Sequence, residues 1–135
     1  MKCLLDSNVL ISACLFPDSV PATAYFKSLT KPYSCVVCDY SIDEVRRTFN
    51  RKFPDKLHTM EAFLKVLSSA VDITPTPADD EKVAGEKAVR DVKDHPILRA
   101  AVKAEADILV SGDKDFLESG LNHPTIMSPA EFVKL

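Results

Sequence analysis

Short apolar runs alternate with longer amphipathic stretches along this chain. Residues 2–5, 33–38 and 108–111 carry continuous apolar cores, such as Ser-Cys-Val-Val-Cys before Asp39, and read as buried strands. Residues 71–74 form another strand, stopped by Pro75 and Pro77, and 123–127 suit a last edge strand. Helices are predicted over 9–16, 21–29, 41–53, 55–69 and 96–106. The fourth rests on Leu57, Met60, Phe63, Leu64 and Leu67 at helical spacing, and the fifth on Pro96 in its first turn. The polar stretch 79–89 is also expected to be helical, and Ser128-Pro-Ala-Glu131 writes a capping box before a short terminal helix. Fully apolar strands separated by helices indicate a parallel sheet covered on both faces. Such open sheets bind ligands beyond the carboxyl ends of their strands, which here means residues 6–8, 39–44 and 111–115.

At 135 residues, one domain spanning 1–135 is expected. The 46% apolar content and net charge of −3 exclude a disordered chain. Four cysteines are too sparse for a disulfide scaffold, and three glycines cannot write a Gly-rich phosphate loop. No run approaches the ~20 apolar residues of a membrane span. Asp6, Ser7 and Asn8 also break the opening run where a signal peptide needs a continuous core. A cytoplasmic location with reduced thiols and no membrane contact is therefore expected. The pI near 5.6 argues against binding nucleic acid with the whole surface, but leaves room for a local basic patch and for clustered carboxylates.

Acidic residues recur where chemistry is expected. The first strand runs into Asp6-Ser7-Asn8 and the fourth into Ser111-Gly112-Asp113-Lys114-Asp115. Glu44 follows in Ser41-Ile-Asp-Glu44, and Asp94 precedes the helix that begins near Pro96. Each has a structural alternative: Asp6 or Ser7 as a helix cap, 111–115 as a turn, Glu44 reaching back to the Ser41 amide, Asp94 facing a helix N-terminus. Together the carboxylates suit Mg²⁺ or Mn²⁺, which take oxygen ligands and retain waters. Zinc fits poorly, since His58, His95 and His123 lack ligand spacing.

Leu4-Leu5-Asp6-Ser7-Asn8-Val9-Leu10 resembles the opening of PIN-domain nucleases. The resemblance continues through Glu44 in Ser-x-Asp-Glu-Val and Asp94 before its helix, and closes with Leu109-Val-Ser-Gly-Asp113-Lys-Asp115-Phe-Leu. It spans about residues 2–130 and is nearest to stand-alone PIN toxins of toxin–antitoxin pairs, the VapC-like ribonucleases. The resemblance implies a three-layer α/β/α sandwich with a central parallel sheet and an acidic pocket for Mg²⁺ or Mn²⁺. It further implies cleavage of single-stranded RNA by metal-activated water, leaving a 5′-phosphate and a 3′-hydroxyl. On this reading Asp6, Glu44, Asp94 and Asp113 are the catalytic metal ligands, with Asp115 as a further ligand. Asn8 and Ser111 orient them. An antitoxin partner and a homodimer are implied as well.

Arg46, Arg47, Arg51 and Lys52 follow Glu44 on one predicted helix, with Lys56 just beyond; they are either solvated surface or contacts to RNA phosphates. Cys35-Val-Val-Cys38 is expected to be buried strand and not a metal or redox pair. Two other classes compete. A dehalogenase-type phosphotransferase would want Asp where Asn8 stands, and a receiver would want paired acids before its first helix. A non-catalytic RNA- or peptide-binding module would have no reason to gather mutually repelling carboxylates.

Overall fold

The computed structural model describes all 135 residues. In chain order the elements are β1 (Lys2–Leu5), α1 (Ser7–Leu15), α2 (Val20–Ser28), β2 (Ser34–Cys38), α3 (Asp39–Lys52), α4 (Leu57–Ala70) and β3 (Asp72–Thr74). They are followed by α5 (His95–Lys103), β4 (Ile108–Val110), α6 (Lys114–Leu117), β5 (Thr125–Met127) and α7 (Pro129–Val133). Single 3-10 turns occupy Pro54–Lys56, Glu86–Ala88 and Val92–Asp94.

The strands form one sheet in the order β3-β2-β1-β4-β5, with every neighbouring pair parallel. The expected α/β sandwich with a central parallel sheet is thus observed. Alternation along the strands divides the core. Cys3, Leu5, Cys35, Val37, Ile108 and Val110 face α1, α2, α3, α4 and α7 in one cluster of buried residues. Leu4, Val36, Cys38 and Leu109 face α5, α6 and the incoming coil in a second cluster. Burial on both faces explains why β1, β2 and β4 are apolar from Cys3, Cys35 and Ile108 onward. It also separates Cys35 from Cys38, which point to opposite sides of the sheet and remain free thiols. No single helix is long and apolar enough to cross a membrane.

Sequence and structure part at two places. Residues 79–89 are not a helix: only the turn Glu86–Ala88 is ordered as 3-10, and the rest is coil laid across α5. Tertiary ion pairs hold this coil. The Glu86 carboxylate is clasped by Arg99 through Nε and Nη2, both at 2.9 Å, and Glu81 accepts from Lys103 at 2.7 Å. Side chains committed to α5 in this way override local helix preference. The second difference is at α3, which begins at Asp39 with no side-chain cap. Ser41 is therefore already helical and cannot form a capping box with Glu44. The box at Ser128–Glu131 does form, with both reciprocal bonds at 3.1 Å.

Candidate metal centre

The strand order reverses between β1 and β4, the switch point at whose carboxyl edge open α/β sheets form a ligand crevice. Asp6 leaves β1 into this crevice and is almost fully buried, 3% exposed. Its backbone starts α1, and its side chain meets three donors. The Ser7 amide donates to Oδ1 at 2.7 Å; Ser111 Oγ and Asn8 Nδ2 donate to Oδ2 at 2.8 and 3.1 Å. Ser111 Oγ in turn accepts from the Asp113 amide at 3.0 Å, and Asn8 Oδ1 accepts from the Gly112 amide at 3.0 Å. Asn8 and Ser111 thereby stitch the loop after β4 to the loop after β1. Burial pushes the Asp6 carboxyl above its ordinary range, against the pull of these hydrogen bonds, and the Asp113 charge adds to the rise.

Glu44 projects from the second turn of α3 to the same place. Its Oε1 lies 3.4 Å from Ser7 Oγ, which donates to it. Burial, then the Asp6 charge, raises its carboxyl to about 7. Asp94 occupies the N-cap position of α5 but accepts no bond from that helix. Its Oδ2 is buried with no hydrogen-bond partner. Asp113 is its carboxylate neighbour in this cluster. Burial, that contact and the charges of Asp113, Asp6 and Asp91 push Asp94 up to about 8. Asp113 itself caps α6, accepting from the Asp115 amide at 2.9 Å.

The fold thus gathers Asp6, Glu44, Asp94 and Asp113, although they lie as far as 107 positions apart (113 − 6). Sequence reasoning passed over one more acid. Asp91, Asp94 and Asp115 present carboxylate oxygens all within 4.8 Å of one another. Asp91 opens the turn Val92–Asp94 and accepts from the Lys93 amide at 3.0 Å. A 3-10 turn places residues three apart on one side, so the spacing of Asp91 and Asp94 is the signal that could have found it. Asp115 is also engaged by Arg90, whose Nη2 lies 2.8 Å from it and 3.1 Å from Glu118. Asp94 therefore belongs to both groups of carboxylates.

These residues fit a divalent cation. A buried, unpartnered carboxylate oxygen costs free energy unless a cation or a proton meets it, and protonated acids are what crowding alone produces here. The oxygen-only donor set is that of Mg²⁺ or Mn²⁺.

The basic residues of α3 divide. Arg46 pairs with Glu61 of α4. Arg47 lies on the Glu44 side, its guanidinium 5.7 Å from the centre of the Tyr40 ring. Arg51 lines a groove together with Tyr40, Glu44 and Arg47, while Lys52 is exposed and outside it.

Comparison with known proteins bears on the whole chain. No curated protein matches the sequence. Among solved structures, VapBC2 from Rickettsia felis, bound to a DNA fragment from their promoter, superposes with a TM-score of 0.70 at 14% identity over 95% of this chain and 98% of that one. VapC20 from Mycobacterium tuberculosis, a Sarcin-Ricin loop cleaving toxin, gives 0.64 at 20% identity over 88% and 95%. PAE2754 from Pyrobaculum aerophilum gives 0.68 at 13% identity over 99% and 88%. The family model described as PIN domain matches residues 2–115, from the first residue of β1 to Asp115, so the chain belongs to the PIN domain family.

Proposed function

We propose that this chain is a divalent-metal-dependent endoribonuclease that cleaves single-stranded RNA and acts as the toxin of a toxin–antitoxin pair. One observation carries the reading: carboxylates from four separate segments converge at the crevice between β1 and β4, and Asp94 keeps a buried oxygen without a partner there. Membership of the PIN family and similarity in fold to VapC20, named for cleaving the Sarcin-Ricin loop, support it.

In this reading Asp6, Glu44, Asp94 and Asp113 hold Mg²⁺ or Mn²⁺, with Asp115 and Asp91 at the margin. The ion supplies Lewis-acid stabilisation of the phosphodiester charge and lowers the pKa of water. Asn8 and Ser111 hold the Asp6 carboxylate in one orientation. In the metal-free protein Glu44, raised to about 7, and Asp94, raised to about 8, are the groups that exchange protons near neutral pH. No side-chain nucleophile is required, and no serine, cysteine or histidine is assigned that part.

An antitoxin partner, a cytoplasmic location and a homodimer complete the proposal. Fold similarity to the VapBC2 complex supports the partner. So do Phe16, Val20, Phe26 and Val66, apolar side chains 48–62% exposed on α2, α4 and the α1–α2 loop. Size-exclusion with light scattering tests the dimer.

The deciding experiment is cleavage of end-labelled single-stranded RNA with Mn²⁺, with Mg²⁺ and with EDTA, with Asp6→Asn purified in parallel. Metal-dependent cutting that falls at least ~10²-fold in Asp6→Asn is expected. Cutting that survives in the variant overturns the site. Binding without cutting turns the reading to the non-catalytic module.

A further inference from the structure

We infer that RNA reaches the acidic crevice along a cationic groove between α3 and the turn Val92–Asp94, in which Arg47, Arg51 and Lys93 take the phosphates and Tyr40 holds Arg47 in place. This rests on the ribonuclease reading and assigns the substrate path to that site.

The argument begins with helical phase. Tyr40, Glu44, Arg47, Thr48 and Arg51 recur at spacings of four, three, one and three residues and share one face of α3. They line a cavity of about 380 Å³, closed on the other side by Lys93. Glu44 lines it too, so the groove opens directly onto the acidic crevice. Its cations are uncommitted. Arg46, Arg90, Arg99 and Lys103 all form ion pairs, whereas Arg47, Arg51 and Lys93 form none within 4 Å. In a chain of net charge −3, three unpaired cations at the mouth of a carboxylate pocket need a counter-anion. The Glu44 carboxyl does not serve, since it lies outside pairing distance of Arg47. Arg47 and Arg51 are one turn apart, about 6 Å along the helix axis. That separation is close to the step between phosphates of an extended strand. The Tyr40 ring beneath Arg47 lowers the entropy lost when its guanidinium meets a phosphate. Tyr40 is in this sense a positioning residue.

The test measures anisotropy of a labelled single-stranded RNA in Ca²⁺ buffer from 50 to 300 mM salt. Each phosphate contact to a single strand contributes about 0.7 to the slope of log affinity against log salt. Arg47→Gln combined with Arg51→Gln should lower the slope by about 1.4, and Lys93→Gln by about 0.7. Arg46→Gln, on the far side of the helix, should leave the slope unchanged. Tyr40→Phe should bind as wild type, whereas Tyr40→Leu should weaken binding severalfold with the slope retained. Thermal midpoints taken alongside confirm that these surface variants fold. Wild-type binding with an unchanged slope in the arginine double variant overturns the groove while the ribonuclease reading stands. No binding by wild type overturns the ribonuclease reading itself. If polyglutamate binds here and RNA does not, the groove belongs to an acidic protein segment and the proposal fails.

Discussion

Asp6, Asp94 and Asp113 each occupy the position before a helix, where a carboxylate ordinarily accepts amide bonds. Asp6 and Asp113 do so and still face the crevice; Asp94 does not, and its oxygen stays unsatisfied. Its removal should therefore stabilise the metal-free protein. Asp94→Asn is expected to raise the metal-free thermal midpoint by several degrees, on the order of 1–2 kcal/mol after allowing for solvent screening, and to shrink the shift on adding Mn²⁺. The same crowding sets a pH dependence. Asp94 and Glu44 have folded values of about 8 and about 7, above those of an unfolded chain, so the folded state binds more protons between these limits. Stability then falls as pH rises from about 4.5 to 8. Calorimetry of the metal-free protein at pH 5 and pH 8 should show the lower midpoint at pH 8, and saturating Mn²⁺ should narrow the difference. A midpoint that rises over this range contradicts the crowded-carboxylate account.

At the scale of elements, the coil leading to α5 is the part that must be held for Asp91 and Asp94 to stay in place. Two clasps do this. One is the Glu86–Arg99 pair, in which Arg99 draws the Glu86 carboxyl down to about 2. The other is His95, whose Nε2 lies 2.8 Å from the Val89 carbonyl. Glu86→Ala leaves the buried Arg99 without its partner and should lower the thermal midpoint more than Glu81→Ala, whose partner Lys103 is exposed. Gly85 sits beside this clasp at φ +84°, and a Cβ there would lie 2.6 Å from Leu121 Cδ2. Gly85→Ala is expected to cost at least about 1–2 kcal/mol from backbone conformation alone, measured by denaturant midpoint. Little of this was legible in the sequence. The partners Glu86 and Arg99 are thirteen residues apart across irregular chain, and polar residues at 79–89 look helical when their tertiary ion pairs are unknown. The phase of α3 was equally hidden: Arg46 and Arg47 are neighbours in sequence, and only the packing of Val45 and Phe49 decides which of them turns toward Glu44.

Across the whole molecule, what could be read was what the sheet enforces. Strands buried on both faces must be apolar throughout, and residues just beyond their carboxyl ends must face the crevice. Asp6 and Asp113 follow from that rule. Glu44 and Asp94 follow less directly, through helices whose starts the sequence locates only to within a residue or two. Asp91 does not follow at all until the turn joining it to Asp94 is seen to be 3-10.

The position of β1 in the sheet has a further consequence. Residues 1–74 contain β1, β2 and β3, and 75–135 contain β4 and β5; in the sheet the two groups of strands meet only along the ladder Cys3–Ile108, Leu4–Leu109 and Leu5–Val110. Asp6 and Glu44 belong to the first portion, Asp94 and Asp113 to the remainder. The acidic centre is thus a seam, and each portion carries two of these four carboxylates. A chain divided before Asp91 and expressed as two pieces should be inert in either piece and in their dilute mixture, and should recover RNA cutting only when fused partners hold the pieces together. Complementation of this kind would make the protein a reporter of proximity, silent until two fused partners bring its halves together.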